Sequence, residues 1–302
     1  MSLFGKLFSK NNYQVDPESQ RRNVRLDVTA NFQLDRHAFT GTMSKFRVAK
    51  EISTGKFYGI KFLDAEKTAY FAARFKGLKK PLEGEIAMSI SHPNIVKTYE
   101  YGVTKAGEQY ILMEYIKGMG LDQAIRNREP RLANNRLALI REMAKCVQAV
   151  HDQGFIHRDV CPRNFICIGE FEHLKMIDFG LTLPDEAPYR QPGNRTGTPQ
   201  YMAPEIVRRR PTDKRVDVFS FGVTAYRLLT FEHPWGSTDM TGTAALAHDT
   251  EEVIPITQHR PQLHPELAKA VHKCLEVDVN NRMESCKRFL GAIRHIKHEE
   301  VA

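Results

Sequence analysis

Alternating apolar and polar residues predict several β-strands in the N-terminal part of the chain. Residues 45–49 alternate, a turn-forming Ser53-Thr54-Gly55 follows, and residues 57–61 form a second strand-like stretch. Turn residues between two such stretches are typical of an antiparallel hairpin. Residues 96–101 and 109–114 predict two further strands.

A helical period predicts a different architecture in the rest of the chain. Apolar residues recur at helical spacing through 136–153, namely at Leu137, Ile140, Met143, Ala144, Val147 and Val150. The same spacing returns near 267–275 and 283–296, and residues 64–80 are predicted to be a helix or an insertion. A helix with Pro81 in its first turn is expected to follow.

The order of these stretches predicts an α+β fold. We expect a small five-stranded antiparallel sheet with one main helix over residues 36–113, and a larger, mostly helical part from about residue 117. At 302 residues, with 41% hydrophobic and 26% charged residues, the chain can bury a large core.

Charge and cysteine usage narrow the possible partners. The formal net charge is +8, but the basic residues are scattered, so a role with nucleic acid is not expected. The five cysteines include no Cys-x-x-Cys pair, which predicts reduced core thiols in a cytoplasmic protein rather than a metal site. No apolar run approaches 18 residues and no secretory signal pattern opens the chain, so no integral membrane segment is expected.

Two short motifs carry the candidate chemistry. Residues 157–164 are His-Arg-Asp-Val-Cys-Pro-Arg-Asn, and Asp178-Phe179-Gly180 follows after two strand-like stretches. Transfer of a phosphoryl group needs an oriented acceptor hydroxyl and metal-held phosphate oxygens. Asp159 suits the first task as a carboxylate that accepts the hydroxyl proton. Asn164 and Asp178 suit the second, because Mg²⁺ prefers hard oxygen ligands.

In combination these motifs resemble the catalytic loop and the metal loop of eukaryotic-type protein kinases. The resemblance covers roughly residues 36–297 and implies a two-lobed kinase fold that uses ATP and Mg²⁺ to modify protein substrates. It implies a partly flexible N-terminal extension over residues 1–35 and a short tail over residues 298–302. Between them lies the kinase domain, with an N-lobe at 36–113, a hinge at 114–118 and a C-lobe at 119–297.

The resemblance assigns ATP-binding roles residue by residue. Lys61, in Gly59-Ile60-Lys61, matches the phosphate-binding lysine, and spacing selects Glu83 as its carboxylate partner, with Glu85 as the alternative. The remaining ATP-binding positions are expected near the adenine or the phosphates, at Gly41, Met113, Glu114, Ile116 and Ile166.

Structural or regulatory roles follow for His157, Arg158, Thr198, Glu205, Asp217 and Arg282. Residues 197–205, which end in Ala203-Pro204-Glu205, resemble the substrate-docking loop of serine/threonine kinases. The resemblance expects Asp217 to anchor the backbone of the catalytic loop, and Arg282 to pair with Glu205 in the interior.

Two departures from the family pattern affect the predicted function. Cys161 stands where serine/threonine kinases carry a lysine, and Arg163, predicted to be catalytic, stands where tyrosine kinases often carry an arginine. The docking loop favours serine or threonine as the acceptor. Gly41 is the one glycine among the three glycine-loop positions, with Phe39 and Ser44 in the others, so a pseudokinase or nucleotide-binding scaffold remains the alternative. A small-molecule phosphotransferase is disfavoured by Ala203-Pro204-Glu205. The sequence does not indicate an oligomeric state.

Overall fold

The computed structural model describes residues 20–21, 25–41, 43–192, 195–236 and 244–301. Most of the predicted N-terminal extension, residues 1–19 and 22–24, lies outside the described residues. The described chain forms two compact units. The first takes in the described residues up to Ala73 together with 81–91 and 97–115, and the second takes in 74–80, 92–96 and the described residues from Ile116 onward.

The first unit is built on one six-stranded sheet. Its strands are β1 Gln20–Arg21, β2 Phe32–Thr40, β3 Ser44–Glu51, β4 Phe57–Leu63, β5 Thr98–Val103 and β6 Gln109–Glu114, in the spatial order β1-β5-β6-β4-β3-β2. Neighbours run antiparallel except β1 and β5, which are parallel. The sheet therefore has one strand more than the five predicted, because β1 is two polar residues long and carries no alternation signal.

Apolar residues from the strands form the core of this unit. Ile60 on β4 lies opposite Leu112 on β6, and both are buried with Tyr110. Leu26 and Phe32 belong to the same cluster, with exposures of 1% and 6%. Both lie within the predicted N-terminal extension, so packing against the sheet begins before residue 36.

Three helices accompany the sheet in the described part of this unit: α1 Val28–Asn31, α2 Ala65–Ala73 and α3 Glu83–Ser89. The stretch predicted as a helix or insertion thus contains α2, whose start is fixed by Asp64, a side chain that accepts the Lys67 N–H over 3.0 Å. Helix α3 begins at Glu83, so Pro81 precedes the helix rather than occupying its first turn.

The second unit is mostly helical. Its helices are α4 Leu121–Arg126, α5 Arg136–Asp152, α6 Pro204–Val207, α7 Arg215–Thr230, α8 Ile256–His259, α9 Pro265–Cys274 and α10 Cys286–Ala292. Short strands form two small sheets: β7 Met119–Gly120 with β9 Phe165–Ile168 and β10 His173–Met176, and β8 Phe155–Ile156 with β11 Leu183–Pro184. A sheet unit followed by a helical unit confirms the predicted α+β class.

Helices α5 and α7 form the centre of the second unit. The apolar positions predicted for α5 are all buried, which confirms that prediction. Helix α7 is buried around almost its whole circumference, as expected of a helix inside a large core. Its burial matters for the site because Asp217, in its first turn, is carried into the interior.

All five cysteines are buried and free. Within the described part of the chain, none of the helices combines the length and the apolar character needed to span a bilayer.

Candidate active site

A buried ion pair joins β4 to α3 in the first unit. Lys61 is 6% exposed, and its Nζ lies 2.5 Å from Glu83 Oε1. Both side chains are largely withdrawn from water, at 7% and 11% exposure. A buried ammonium group requires a paired carboxylate, so this contact sets the position of the Lys61 side chain.

The alternative carboxylate, Glu85, has a different structural role. Its Oε2 accepts the Leu82 N–H over 2.9 Å at the start of α3, and the Tyr101 hydroxyl donates to its Oε1 over 3.3 Å. Glu85 thus stabilises the helix terminus by satisfying an amide that has no partner within the helix. Of the two predicted partners, the structure places Glu83 on Lys61.

In the second unit, Asp217 holds the catalytic loop through its backbone. Its two carboxylate oxygens accept the N–H groups of His157 and Arg158, each over 2.7 Å, and His151 Nε2 lies 2.8 Å from Oδ2. Complete burial acts to raise the pKa of Asp217, but hydrogen bonding and charge from His151 outweigh it, so the pKa lies below its usual range. The loop is therefore held by an ionised interior carboxylate.

Asp159 is oriented from two sides. Its Oδ1 accepts both the backbone N–H and the hydroxyl of Thr198, each over 2.8 Å. The Asn164 side-chain amide donates to the Asp159 backbone carbonyl over 2.8 Å and to its Oδ2 over 3.1 Å. These contacts bring the catalytic loop, its asparagine and the docking loop to one carboxylate.

The donor set around Asn164 and Asp178 fits a hard cation. Because the Asn164 NH₂ group is engaged with Asp159, its carbonyl oxygen is the atom left to act as a ligand. The Asn164 backbone carbonyl accepts the Ile177 N–H over 2.8 Å, which ties the two predicted metal residues together. Asp178 has a left-handed backbone, φ 72°, and its Oδ1 accepts the Gly180 N–H over 2.9 Å.

Arg163 supplies the cation at the docking loop. Its Nη2 donates to the Thr198 hydroxyl oxygen over 2.9 Å. Cys161, at the position of the family lysine, lies 3.7 Å from the same oxygen through its sulfur. Burial and then the neighbouring Asp159 raise the Cys161 pKa to about 12, so the thiol is neutral. The positive charge here therefore comes from Arg163.

Arg158 is enclosed within the second unit. It is 4% exposed, its backbone is left-handed with φ 67°, and its Nη1 lies 3.4 Å from Thr212 Oγ1. Burial lowers the Arg158 pKa to about 10, opposed by the charge of Asp217. The docking loop passes close to its backbone at Gly197, φ 125°, where an added Cβ would lie 2.7 Å from the Arg158 carbonyl oxygen.

Glu205 and Arg282 form a two-point interior ion pair. Arg282 Nη1 and Nη2 donate to the two Glu205 oxygens over 2.6 and 3.0 Å. The other three N–H groups of Arg282 reach backbone carbonyls of Glu276, Arg215 and Val277. With side-chain exposures of 0% and 7%, the pair fixes the end of the docking loop to the helical core.

The predicted adenine-site residues are divided between the units. Met113 and Glu114 lie on β6, and Glu114 Oε1 accepts the Lys97 N–H over 2.8 Å. Ile116 and Ile166 belong to the second unit, with Ile166 on β9. Their roles at a nucleotide remain predictions.

Gly41 lies in the β2–β3 hairpin, where its N–H donates to the Ser44 carbonyl over 2.9 Å. On the adjoining strands Phe46 fills the space beside Gly59, since a Cβ at Gly59 would lie 2.5 Å from the Phe46 ring. Sequence reasoning missed this pair. In the register of β3 and β4, Phe46 lies opposite Lys61 and Val48 lies opposite Gly59, so Phe46 reaches Gly59 diagonally and sequence alone carries no signal for the contact.

Sequence reasoning also missed His151 and Thr212. His151 lies on the buried face of α5, among apolar residues typical of an ordinary core helix, and Thr212 lies in a loop without a motif. The spacing of one helical turn between Val147 and His151 was a weak signal that the histidine faces the interior.

Comparison with known proteins defines the class. A sequence profile described as "Protein kinase domain" matches residues 33–295. The chain is 31% identical over 252 residues to serine/threonine-protein kinase PknB of Mycobacterium leprae, covering 81% of this chain and 39% of that protein. It is 28% identical over 274 residues to serine/threonine-protein kinase pkn3 of Myxococcus xanthus, covering 86% of this chain and 48% of that protein.

PknB of Mycolicibacterium smegmatis is 30% identical over 270 residues, covering 87% of this chain and 42% of that protein. The chain belongs to the protein kinase family. It spans less than half the length of these curated relatives.

Proposed function

We propose that the chain transfers the γ-phosphate of ATP to serine or threonine hydroxyl groups of protein substrates. The observation that carries this proposal is the contact of the Thr198 N–H and hydroxyl with Asp159 Oδ1, each over 2.8 Å. This contact joins the docking loop to the carboxylate that would accept the proton of the substrate hydroxyl. The relatives named above are serine/threonine-protein kinases by name.

Each chemical role is given to a residue of the chain. Asp159 orients the acceptor hydroxyl and takes its proton, while Arg163 holds Thr198 and adds positive charge beside the reacting groups. Lys61, positioned by Glu83, would bind phosphate oxygens of ATP. Gly41, Met113, Glu114, Ile116 and Ile166 are proposed to complete the nucleotide site.

Asn164 and Asp178 are proposed to hold Mg²⁺. When bound, the ion neutralises charge on the phosphates and fixes their orientation. The chain's own contribution is the placement of the Asn164 carbonyl oxygen and the Asp178 carboxylate, which the Asn164–Ile177 backbone hydrogen bond links.

An active enzyme is favoured over a nucleotide-binding scaffold. A scaffold has no chemical need for the Lys61–Glu83 ion pair together with an oriented Asp159 and a hard-ligand pair. The five buried thiols support a reducing compartment, and a cytoplasmic location is part of the proposal. Residues 36–297 are the proposed catalytic domain.

The test is phosphotransfer from labelled Mg-ATP to a degenerate peptide library containing serine, threonine or tyrosine. Wild-type protein should label serine or threonine peptides, and Asp159→Asn should lower the rate by at least about a hundredfold. Asp152→Asn is the matched control, because this exposed carboxylate contacts only Gln148 among the hydrogen bonds described for it.

Three outcomes would oppose the proposal. ATP binding with no transfer to any peptide by the wild type would identify a scaffold. Transfer to tyrosine alone would overturn the acceptor assignment. Equal rates in wild type and Asp159→Asn would remove Asp159 from the chemistry.

A further inference from the structure

A buried histidine contacts the docking loop from the interior of the second unit. His248 lies in a short 3-10 turn, Ala244–Asp249, and is 3% exposed. Its Nδ1 lies 2.7 Å from the carbonyl oxygen of Met202, in the docking loop. The chemical roles proposed for Asp159, Asn164 and the other site residues do not involve His248.

The protonation state of His248 defines the direction of this hydrogen bond. Burial lowers the pKa of His248 to about 4, opposed by the hydrogen bond to the Met202 carbonyl and by the charge of Asp249. The ring is therefore neutral near pH 7 and carries one N–H group. Because a carbonyl oxygen only accepts hydrogen bonds, that proton belongs on Nδ1. His248 thus donates to the backbone of the docking loop.

Aromatic packing fixes the orientation of the His248 ring. It stacks on Trp235, with ring centroids 4.2 Å apart and an angle of 26° between the planes. Trp235 stacks in turn on Phe219, at 5.9 Å and 19°. The guanidinium carbon of Arg282 lies 5.0 Å from the centroid of the Phe219 ring. These contacts hold the plane of His248 in the direction that aims Nδ1 at the loop.

The turn that carries His248 is also tied to the end of the docking loop. Arg208 directly follows α6, and its N–H donates to the Pro204 carbonyl over 2.8 Å. Its Nε and Nη2 donate to the two carboxylate oxygens of Asp249, each over 2.8 Å. Consecutive residues of the turn therefore bind the chain at Met202 and at Arg208. The turn cannot move away from the loop without breaking both contacts.

Two consecutive carbonyl groups of the docking loop depend on interior side chains. The Ser220 hydroxyl, on α7, lies 2.6 Å from the Tyr201 carbonyl oxygen. Within the described part of the chain, His248 is the one donor to the next carbonyl, that of Met202. Met202 is 6% exposed, and a buried carbonyl without a donor is costly. Loss of the His248 donor would therefore favour other loop conformations in which water reaches this oxygen.

We infer that His248 is a positioning residue for protein substrates, because its hydrogen bond to Met202 keeps the docking loop in the conformation that binds the substrate peptide. This inference rests on the proposed protein kinase function. A loop that is only partly in the binding conformation lowers the apparent affinity in proportion to the fraction lost. The effect should therefore appear in the affinity for peptide and not in the affinity for ATP.

Two substitutions separate the donor from the ring. His248→Asn retains an N–H donor near the position of Nδ1, whereas His248→Phe retains a ring that can stack on Trp235 but has no donor. Kinetics are measured with the serine or threonine peptide that the wild type labels best in the degenerate library. His248→Phe should raise the KM for peptide about five- to tenfold, with kcat and the KM for ATP changed less than about twofold. His248→Asn should recover most of the lost affinity.

His272→Phe is the matched control. His272 lies on α9, is half-buried, and its Nε2 accepts the Ile256 N–H over 3.0 Å at the start of α8. It resembles His248 in holding backbone, but at a different place in the unit. Its replacement should lower the thermal midpoint and leave the KM for peptide unchanged. An equal rise in His272→Phe, an unchanged KM in His248→Phe, or a rise that His248→Asn does not reduce would overturn the inference.

Hydrogen exchange gives a readout without catalysis. In the absence of ATP and peptide, His248→Phe should speed deuterium uptake by residues 198–203 about fivefold, whereas His248→Asn and His272→Phe should not. Equal uptake in all four proteins would contradict the positioning role.

Nitrogen NMR of the wild type tests the contact without any substitution. It should show His248 as the Nδ1–H tautomer, and the Nε2–H tautomer would overturn the inference. If the wild type transfers no phosphate to any peptide while the exchange and NMR results are as expected, the proposed function is refuted and the contact of His248 with the docking loop is not.

Discussion

Arg163 donates a hydrogen bond to the Thr198 hydroxyl oxygen over 2.9 Å. That hydroxyl in turn donates to Asp159 Oδ1. The positive charge in this group of contacts therefore comes from Arg163, two positions after Cys161. The hydrogen-bonding chain from cation to carboxylate is continuous.

Replacing this cation should slow transfer without unfolding the protein. Arg163→Ala is expected to lower kcat/KM about tenfold, the effect of one charge-assisted hydrogen bond at an exposed position. Cys161→Lys added to Arg163→Ala should recover part of the rate, since position 161 also faces the Thr198 hydroxyl. Steady-state kinetics test this, with exposed Arg288→Ala as control. No recovery in the double variant would mean that Arg163 acts through something other than its charge.

Asp217 should show a specific dependence of stability on pH. Asp217→Asn is expected to destabilise the fold by about 3 kcal/mol at pH 7, because it removes a buried charge that binds two amides and His151. The folded-state pKa of Asp217 lies below its ordinary value of 3.8. The stabilisation by the carboxylate is therefore fully present above about pH 3.8 and is lost as the pH falls through the folded value.

Urea unfolding of the wild type and Asp217→Asn across pH measures this difference. The gap between the two proteins should stay constant from pH 7 to about pH 5 and close in stronger acid. A gap that widens on acidification would contradict the assignment. Asp152→Asn provides the exposed-carboxylate control.

Breaking the Glu205–Arg282 pair should cost more than removing both partners. Arg282→Met leaves the Glu205 carboxylate buried without its cation and should destabilise the fold by about 3–5 kcal/mol. The double variant Glu205→Leu/Arg282→Met should be more stable than the sum of the single effects predicts, with a coupling of about 2 kcal/mol. Chemical denaturation of all four proteins measures the coupling. Strict additivity would show that the pair acts as two independent residues.

The Phe46–Gly59 contact makes a steric prediction. Gly59→Ala places a Cβ 2.5 Å from the Phe46 ring and 3.2 Å from Met113 Cγ, so it should destabilise the protein by about 1–3 kcal/mol. Phe46→Val in the same chain should restore most of that loss by freeing the space. Gly291→Ala, with open space around its Cα, is the control. If the single variant Gly59→Ala and the double variant Gly59→Ala/Phe46→Val had equal free energies of unfolding, the contact would be disproved.

The elements with strong periodicity were predictable, and the elements set by tertiary contacts were not. The apolar spacing of α5 located it to within one residue, because a half-buried helix must repeat its apolar face. Strand β1 left no such signal, since its two residues are polar and its place is set by pairing with β5. Helix α3 was predicted to have Pro81 in its first turn, but it begins at Glu83, because the Glu85 side chain caps the Leu82 amide.

The same division applies to the candidate site. Motif spacing pointed to Lys61 and Glu83, which the structure joins across 22 positions of sequence. It could not find Thr212 or His151, because each acquires its partner only when separate elements of the second unit meet. Residues recruited from such loops carry no local pattern that a single sequence exposes.

Asp217 holds the catalytic loop by accepting hydrogen bonds from backbone N–H groups, and every amino acid except proline provides such a group. The backbone conformation of the loop therefore depends little on the identity of its own side chains. Over evolutionary time, a lineage can exchange lysine for cysteine at one position and gain arginine at another without passing through a collapsed loop. Cys161 and Arg163 are the kind of substitution that such an anchor makes accessible, and drift at these two positions is a poor guide to whether a relative has lost its activity.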